Sequence, residues 1–425
     1  ALSASGDTDP NEAFRYWWLF CRLEAFLPKA KAQECWLDAI LQGSRDYAKR
    51  LGDRLKDRIF LTIFPHLAQG FLEDRKQRLG KKTEPSEEEL ADIFEATLTL
   101  LYRLLFLLYA ESRDLLPIRE APYLAASLKK LKEEIAEKAG VAEADVPDHL
   151  KRAYSVTTTD FYDRLSRLFR AMDKGDPVLN VPTYNGGLFT TTPDKSERRE
   201  QHIARFLLEH KVPDRFLAMA IDRLSRDQDE RTLALGFIDY KSLEVRHLGS
   251  IYEGLLEFRL KVAEEDLTTQ ADKSSEKYIP LSRAKPKRGK QADVVVRRKE
   301  VYLSNDKAER KATGSYYTPD NIVEYIVAHT VGPVLDEKLE TLRSEFRKVR
   351  KTFDNELQKA QAYPPAEVRS GKMDHRQWAG LQTYNHHKEL VERMFDLKAL
   401  DPAMGSGHFL VEAVDFVTDR LLNFL

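Results

Sequence analysis

Leu397-Lys398-Ala399-Leu400-Asp401-Pro402-Ala403-Met404-Gly405-Ser406-Gly407-His408-Phe409-Leu410 reads as a short buried strand, a turn carrying two glycines, and a helix beginning near His408. Glycine imposes no side chain and tolerates φ > 0, so such a turn lets a ligand touch bare backbone. The helix start just beyond offers unpaired N–H donors and a partial positive charge. Strand-loop-helix crevices of this kind hold nucleotides or cofactors in many α/β folds. A phosphate-cradling loop would need Gly-Lys followed by Ser or Thr, and His408 stands where the lysine belongs. A dinucleotide fingerprint would need a third glycine three residues after the second, and Leu410 occupies that place. Taken alone, the turn is a weak signal, equally suited to any tight strand-to-helix connection.

A second element lies upstream, at Arg310-Lys311-Ala312-Thr313-Gly314-Ser315-Tyr316-Tyr317-Thr318-Pro319-Asp320. Thr318 suits an N-cap, Pro319 the first helical position, and Asp320 the positive end of the helix dipole. Ile322, Val323, Ile326 and Val327 follow at helical spacing, which predicts a helix from Pro319 to about Val331. By itself this is a well-capped helix start, and caps are common.

Together the two elements resemble a known family. Asp401-Pro402-Ala403-x-Gly405-Ser406-Gly407-x-Phe409-Leu410 is similar to the S-adenosylmethionine loop (motif I) of the amino-methylating DNA methyltransferases. Gly314-Ser315-Tyr316-Tyr317-Thr318-Pro319 is similar to their motif X, which precedes motif I in the gamma-type order. Three upstream blocks resemble the helical region of large Type IIG restriction-modification enzymes and of the methylases of BREX and DISARM phage defence. They are Leu104-Leu105-Phe106-Leu107-Leu108-Tyr109-Ala110-Glu111-Ser112-Arg113, Tyr184-Asn185-Gly186-Gly187-Leu188-Phe189 and Leu248-Gly249-Ser250-Ile251-Tyr252-Glu253. Motifs X and I are specific, the upstream blocks less so, and the similarity is loose before about Leu51.

The resemblance implies an adenine-N6 DNA methyltransferase that takes its methyl group from S-adenosyl-L-methionine. It places Tyr316, Tyr317, Thr318 and Pro319 at the methionine end of the cofactor. Asp401, Pro402, Ala403, Met404, Gly405, Ser406 and Gly407 surround its amino-acid and ribose portions, with Phe409 packed beneath the loop. Double-stranded DNA is the implied partner, alongside other phage-defence subunits or a phage-encoded inhibitor. No nucleophilic residue or metal is required, because methyl transfer is direct and helped mainly by positioning. The family's catalytic motif, Asn or Asp followed by Pro-Pro and an aromatic, is matched by neither Tyr363-Pro364-Pro365-Ala366 nor Asn180-Val181-Pro182. The chain is therefore expected to be the N-terminal portion of such an enzyme, with no catalytic residue of its own. A DNA-docking or partner-binding scaffold is the alternative, and cytosine N4, RNA or protein are alternative substrates. Asp293 with Glu309-Arg310-Lys311 has the spacing of a nuclease metal site. That Glu-x-Lys runs directly into motif X, so it reads as a decoy.

Length and composition set wider bounds. A chain of 425 residues has room for two or three domains. A net charge of −1 leaves any DNA contact to local patches rather than bulk charge. The two cysteines, Cys21 and Cys35, lack metal-ligand spacing and are expected as buried thiols in a reducing cytoplasm. The most apolar stretch, Thr97 to Ala110, is interrupted by Arg103 and reads as too short to span a bilayer. Ala1 to Asp7 lacks the basic and apolar regions of a signal peptide.

Helical periodicity marks Phe14–Phe26, Trp36–Leu55, Ile59–Leu72 and Glu87–Glu111, with Trp17, Trp18 and Trp36 expected in the core. Ser86 and Glu89 form a plausible capping box. Lys129–Ala139, Ile203–Leu208, Phe216–Leu224 and Arg343–Ala362 read as further helices, and Pro177–Asp194 as loop. Thr268–Lys290 reads as a basic, hairpin-like excursion, followed by strands at 293–296 and 300–303. Arg283, Lys285, Lys287, Arg288 and Lys290 are its candidate phosphate contacts. The expected architecture is a mainly α N-terminal region (1–240), a connector (241–310), and the start of an α/β Rossmann-like methyltransferase domain (311–425).

Overall fold

In the computed structural model, helix accounts for 68% and strand for 8% of the described residues, so the architecture is mainly α with small antiparallel sheets. The structure describes residues 10–27, 35–79, 84–184, 187–229, 232–243, 245–255, 258–272, 275–284, 294–305, 318–402, 404 and 407–424. The chain divides into two compact units, Ala1–Ala312 and Thr313–Leu425.

The first unit opens with α1 (Pro10–Cys21) and α2 (Trp36–Arg58). Cys35 starts α2 through a capping box. Its thiol accepts the Asp38 N–H at 3.4 Å while the Asp38 carboxylate accepts the Cys35 N–H at 3.0 Å. The helix does not stop at Leu55; it runs through a π-helical turn, Ile59–Ile63, into α3 (Phe64–Leu79). Pro65 has no N–H to give the ladder, and a widened turn beside it absorbs the mismatch. Ile59, Ile63, Phe64, Leu67 and Phe71 keep one buried face through the irregularity.

The central helix is α4 (Glu87–Ser112), capped by Ser86 and Glu89 as their spacing predicts. At 26 residues it is long and apolar enough to cross a bilayer, which corrects the reading from Thr97 to Ala110 alone. It is instead a core helix, with 61% of its most apolar window buried. Next come α5 (Ala121–Ala126), α6 (Leu128–Ala139), α7 (Val146–Ala153), α8 (Asp160–Lys174), α9 (Arg199–Glu209) and α10 (Asp214–Ser225). α4 packs against α3, α6, α9 and α10, while α5, α7 and α8 complete the same core. Gly140 ends α6 at φ +80°, a conformation glycine adopts without cost.

A short antiparallel pair, β1 (Arg226–Gln228) with β2 (Leu235–Phe237), precedes α11 (Val245–Leu255). Next come β3 (Phe258–Val262) and a hairpin, β4 (Leu267–Asp272) with β5 (Ser275–Pro280), which is the predicted excursion. β6 (Val301–Asn305) returns antiparallel to β3 and sets Leu303 opposite Leu260. In place of the expected strand at 293–296, Val296 makes a single bridge to Leu267, and Asp293 lies outside the described residues.

Two expectations about burial are overturned. Trp17 and Trp18 are about half exposed, at 50% and 54%, rather than core. Cys21 is exposed and Cys35 partly so, because a capping thiol must sit at a helix end rather than inside.

The second unit is helical among the described residues: α12 (Asp320–Ala362), α13 (Ala366–Arg369), α14 (His375–Phe395) and α15 (His408–Phe424). The two helices expected over 319–331 and 343–362 are one, running through Gly332-Pro333. Pro333 removes the ladder bond to the His329 carbonyl. Burial of Leu335, Leu339 and Leu342 just beyond it outweighs that loss. α14 returns antiparallel along α12: Lys338 donates to the Asp396 carbonyl, and Arg393 holds Glu345 bidentately at 2.7 and 3.1 Å.

No strand forms at 397–400. The segment has no regular secondary structure, and Leu400 is 89% exposed. A strand needs a neighbour to take its N–H and C=O groups, and the described residues of this unit contain none. A Rossmann-like sheet is accordingly not seen.

Candidate cofactor site at two helix starts

α12 begins one residue later than its sequence suggests. Pro319 takes the N-cap position, where it has no side-chain oxygen to accept a bond, and its carbonyl receives the Ile322 and Val323 N–H groups at 2.9 and 3.1 Å. Thr318 is half-buried and Pro319 exposed. Tyr316 and Tyr317 lie outside the described residues.

The second helix start is built by a turn. Gly407 has φ +81°, donates to the Met404 carbonyl at 2.8 Å, and accepts the Val411 N–H at 3.0 Å. A residue with a side chain would be strained there by about 1–2 kcal/mol. Among the described residues, a Cβ added at Gly407 would meet only the Met404 Cγ, at 4.0 Å. Asp401 is half-buried, while Pro402 and Met404 are exposed. Ala403, Gly405 and Ser406 lie outside the described residues.

The packing of α12 on α15 relates the two starts. Gly332 lies against Phe416, where an added Cβ would come within 3.3 Å of the ring, and Asp336 meets Arg420 at 3.3 Å. Phe346 and Phe424 stack edge-on at 5.5 Å farther along. Numbering rises together on both helices, so the pair is parallel and both N-termini lie at one end. Val323, Val327 and Ala413 form the buried contact nearest that end, with Phe409 packed against them. Thr318-Pro319 and the Met404–Gly407 turn are thus set side by side by helix register.

Chemically, the arrangement presents two sets of first-turn N–H groups and two positive dipole ends beside a glycine turn. It suits an anionic or hydroxyl-bearing ligand that lies against backbone. The residues that fix it (Gly332, Phe416, Asp336, Arg420) did not stand out in the sequence. Each acquires meaning only through its partner about 84 positions away.

The comparisons add no relatives. No protein-family model matches the chain, nor does any curated protein or solved structure.

Other expected sites are placed as follows. Arg283 ends a short 3-10 turn after β5, whereas Lys285, Lys287, Arg288 and Lys290 lie outside the described residues, as do Glu309, Arg310 and Lys311. Among the described residues, no group of three or more His, Cys, Asp or Glu is arranged to hold a metal. The first two upstream blocks meet in the first unit. Phe106 packs edge-on to Tyr184 and Phe189 at 5.7 and 5.1 Å, and Arg103 donates to the Leu188 and Thr190 carbonyls at 2.8 and 3.2 Å. Asn185 and Gly186 between them lie outside the described residues.

A cavity of about 540 Å³ in the first unit is lined by Phe71, Ile93, Phe206 and a ring of charged groups. Those groups pair among themselves, Arg75 with Glu89 at 2.8 Å, His202 with Asp92 and His210 with Asp74 both at 2.9 Å. It reads as a polar network holding α3, α4 and α9 together.

Proposed function

We propose that this chain serves an S-adenosylmethionine-dependent DNA methyltransferase acting on adenine N6, in bacterial restriction-modification or phage defence. One observation carries the reading. The described ends of two segments that resemble motifs X and I, Thr318-Pro319 and Gly407-His408, lie at the same end of two parallel helices. A cofactor touching both motifs requires that juxtaposition.

The residues present fit such a cofactor. Thr318 and Pro319 would border its methionine end. The turn from Asp401 to Gly407 would offer bare backbone and first-turn N–H groups to its carboxylate and hydroxyls. When bound, S-adenosylmethionine supplies an electrophilic methyl group on sulfonium. The work of these residues is to hold and orient it, and Phe409 and Val323 keep the two helix starts together from beneath. The 425 residues contain no Asn/Asp-Pro-Pro-aromatic, so no residue here is assigned to the target amine.

Calorimetric titration of S-adenosylmethionine into the complete protein and into a Gly405→Asp variant tests the reading. The wild type is expected to bind and the variant to lose binding by at least tenfold; equal, undetectable heats from both would reject it. Methyl-label transfer to duplex DNA followed by nucleoside analysis identifies the acceptor, with N6-methyladenine expected.

A further inference from the structure

The hairpin made by the C-terminal part of α12 with α14 carries a feature that the cofactor site does not use. Arg347, Lys348, Arg350 and Lys351 are all exposed, and at 100° per residue they share one face of α12. Phe346, Val349 and Phe353 occupy the opposite, partly buried face. None of the four cations forms a contact ion pair among the described residues; Arg393 holds Glu345 and lowers its pKa, and Lys348 only adds to that lowering at longer range. The neighbouring charges are engaged elsewhere: Arg343 with Glu340 at 3.1 Å, Arg393 with Glu345 at 2.7 Å, and Lys359 with Glu356 at 2.7 Å. Glu340 and Asp354 flank the run on the same face, one at each end.

Toward the far end of the hairpin, Arg369, Lys372 and Arg376 are likewise exposed and without ion-pair partners among the described residues. From Lys338 to Phe395 there are 12 Lys and Arg against 8 Asp and Glu, an excess of +4 in a chain whose net charge is −1. The hairpin is thus one of two basic regions; Lys273–Lys299, with 10 Lys and Arg against 2 Asp and Glu, is the other.

Charge density decides the partner. Four positive charges over five residues at a rise of about 1.5 Å give roughly one per 1.9 Å of helix axis. Duplex DNA presents about one negative charge per 1.7 Å. We infer that the exposed face Arg347–Lys351 of this helical hairpin docks on the phosphate backbone of double-stranded DNA. It holds the duplex without reading its sequence. Lysine and arginine on a rigid helix suit this role, because they meet phosphates as charges and carry no base-edge geometry.

The choice of duplex DNA rests on the methyltransferase reading, and the test separates the two. Binding of the complete protein to a fluorescent 30-base-pair duplex of arbitrary sequence is followed by anisotropy across a KCl series. The probe protein is the quadruple variant Arg347→Gln, Lys348→Gln, Arg350→Gln, Lys351→Gln. Each contact contributes about 0.9 to the slope of log K against log [salt], so four contacts contribute about 3.6. Between 50 and 200 mM KCl the wild type should therefore lose about 150-fold more affinity than the variant.

The charge-preserving pair Lys348→Arg and Lys351→Arg should keep the wild-type slope, and far-UV circular dichroism should show unchanged helix in both. An unchanged slope in the quadruple variant overturns the inference. So does a wild type that does not bind the duplex, or a loss confined to anionic vesicles. If S-adenosylmethionine binds but the slope does not move, the hairpin inference alone fails. If the slope falls but S-adenosylmethionine does not bind, the cofactor reading fails.

Discussion

Glu111 makes the stability of the first unit depend on pH. Its carboxylate is buried at the start of α6, where it accepts the Leu128 and Lys129 N–H groups at 2.9 and 2.8 Å and the Tyr123 hydroxyl at 3.1 Å. Burial pushes its pKa up from an ordinary 4.5 to about 7, against the opposing pull of those three donors and of Lys132. Below pH 4.5 the carboxyl is protonated in both folded and unfolded chains. Between 4.5 and 7 the unfolded chain ionises first, so stability falls as pH rises and levels off above about 8. At about 1.4 kcal/mol per pH unit, the gap corresponds to roughly 3.4 kcal/mol. Glu111→Gln removes the titration, although its amide nitrogen must then face the Lys129 N–H at a constant cost of about 1–3 kcal/mol. Urea unfolding of both proteins from pH 4.5 to 8.5 measures the effect. The stability difference, wild type minus variant, should shrink by about 3 kcal/mol across that range. Parallel pH profiles would refute the argument, showing that the donors and Lys132 fully offset burial.

Three further substitutions probe other contacts. Arg103→Met strips the Leu188 and Thr190 carbonyls of a buried cationic donor. It should cost about 3 kcal/mol in urea unfolding, with faster hydrogen exchange at 187–191. Gly332→Leu forces a side chain into the Phe416 ring and should weaken S-adenosylmethionine binding at least tenfold in calorimetry. The melting transition of the first unit should not move. Cys35→Ser exchanges a weak thiol cap for a preferred hydroxyl one and should leave thermal stability equal or higher. Cys35→Ala should lower it by about 0.5–1 kcal/mol.

What could be read from the chain beforehand follows from the range of the forces involved. The Ser86–Glu89 cap, the stop at Gly140 and the β4–β5 hairpin depend on residues a few positions apart, and each appears where local chemistry puts it. The fusion of two expected helices across Pro333 does not, because the packing of Leu335, Leu339 and Leu342 on α14 and α15 overrides a local breaker. The irregular course of 397–400 is likewise a matter of missing partners, since its Leu-rich pattern is that of a strand. Trp17, Trp18 and Cys21 were misplaced for the opposite reason: apolar character says that a residue prefers burial, not that a neighbour is there to bury it. As for the candidate site, its letters were legible in the turn at Asp401–Gly407 and the start at Thr318-Pro319. The parallel register that sets them side by side was not, because it depends on residues such as Gly332 and Phe416 that are ordinary in isolation.

The burial of α4 carries a cost during synthesis. Glu87–Ser112 leaves the ribosome well before α9 and α10, the helices at Arg199–Ser225 that help enclose it. Synthesis of the intervening hundred or so residues takes roughly 5–20 s at bacterial to eukaryotic rates. Throughout that interval the side of this helix facing α3 has its native cover, through contacts such as Phe64 with Phe94, and the side that meets α9 and α10 does not. Until α9 and α10 emerge, that part of its apolar surface is open to non-native association.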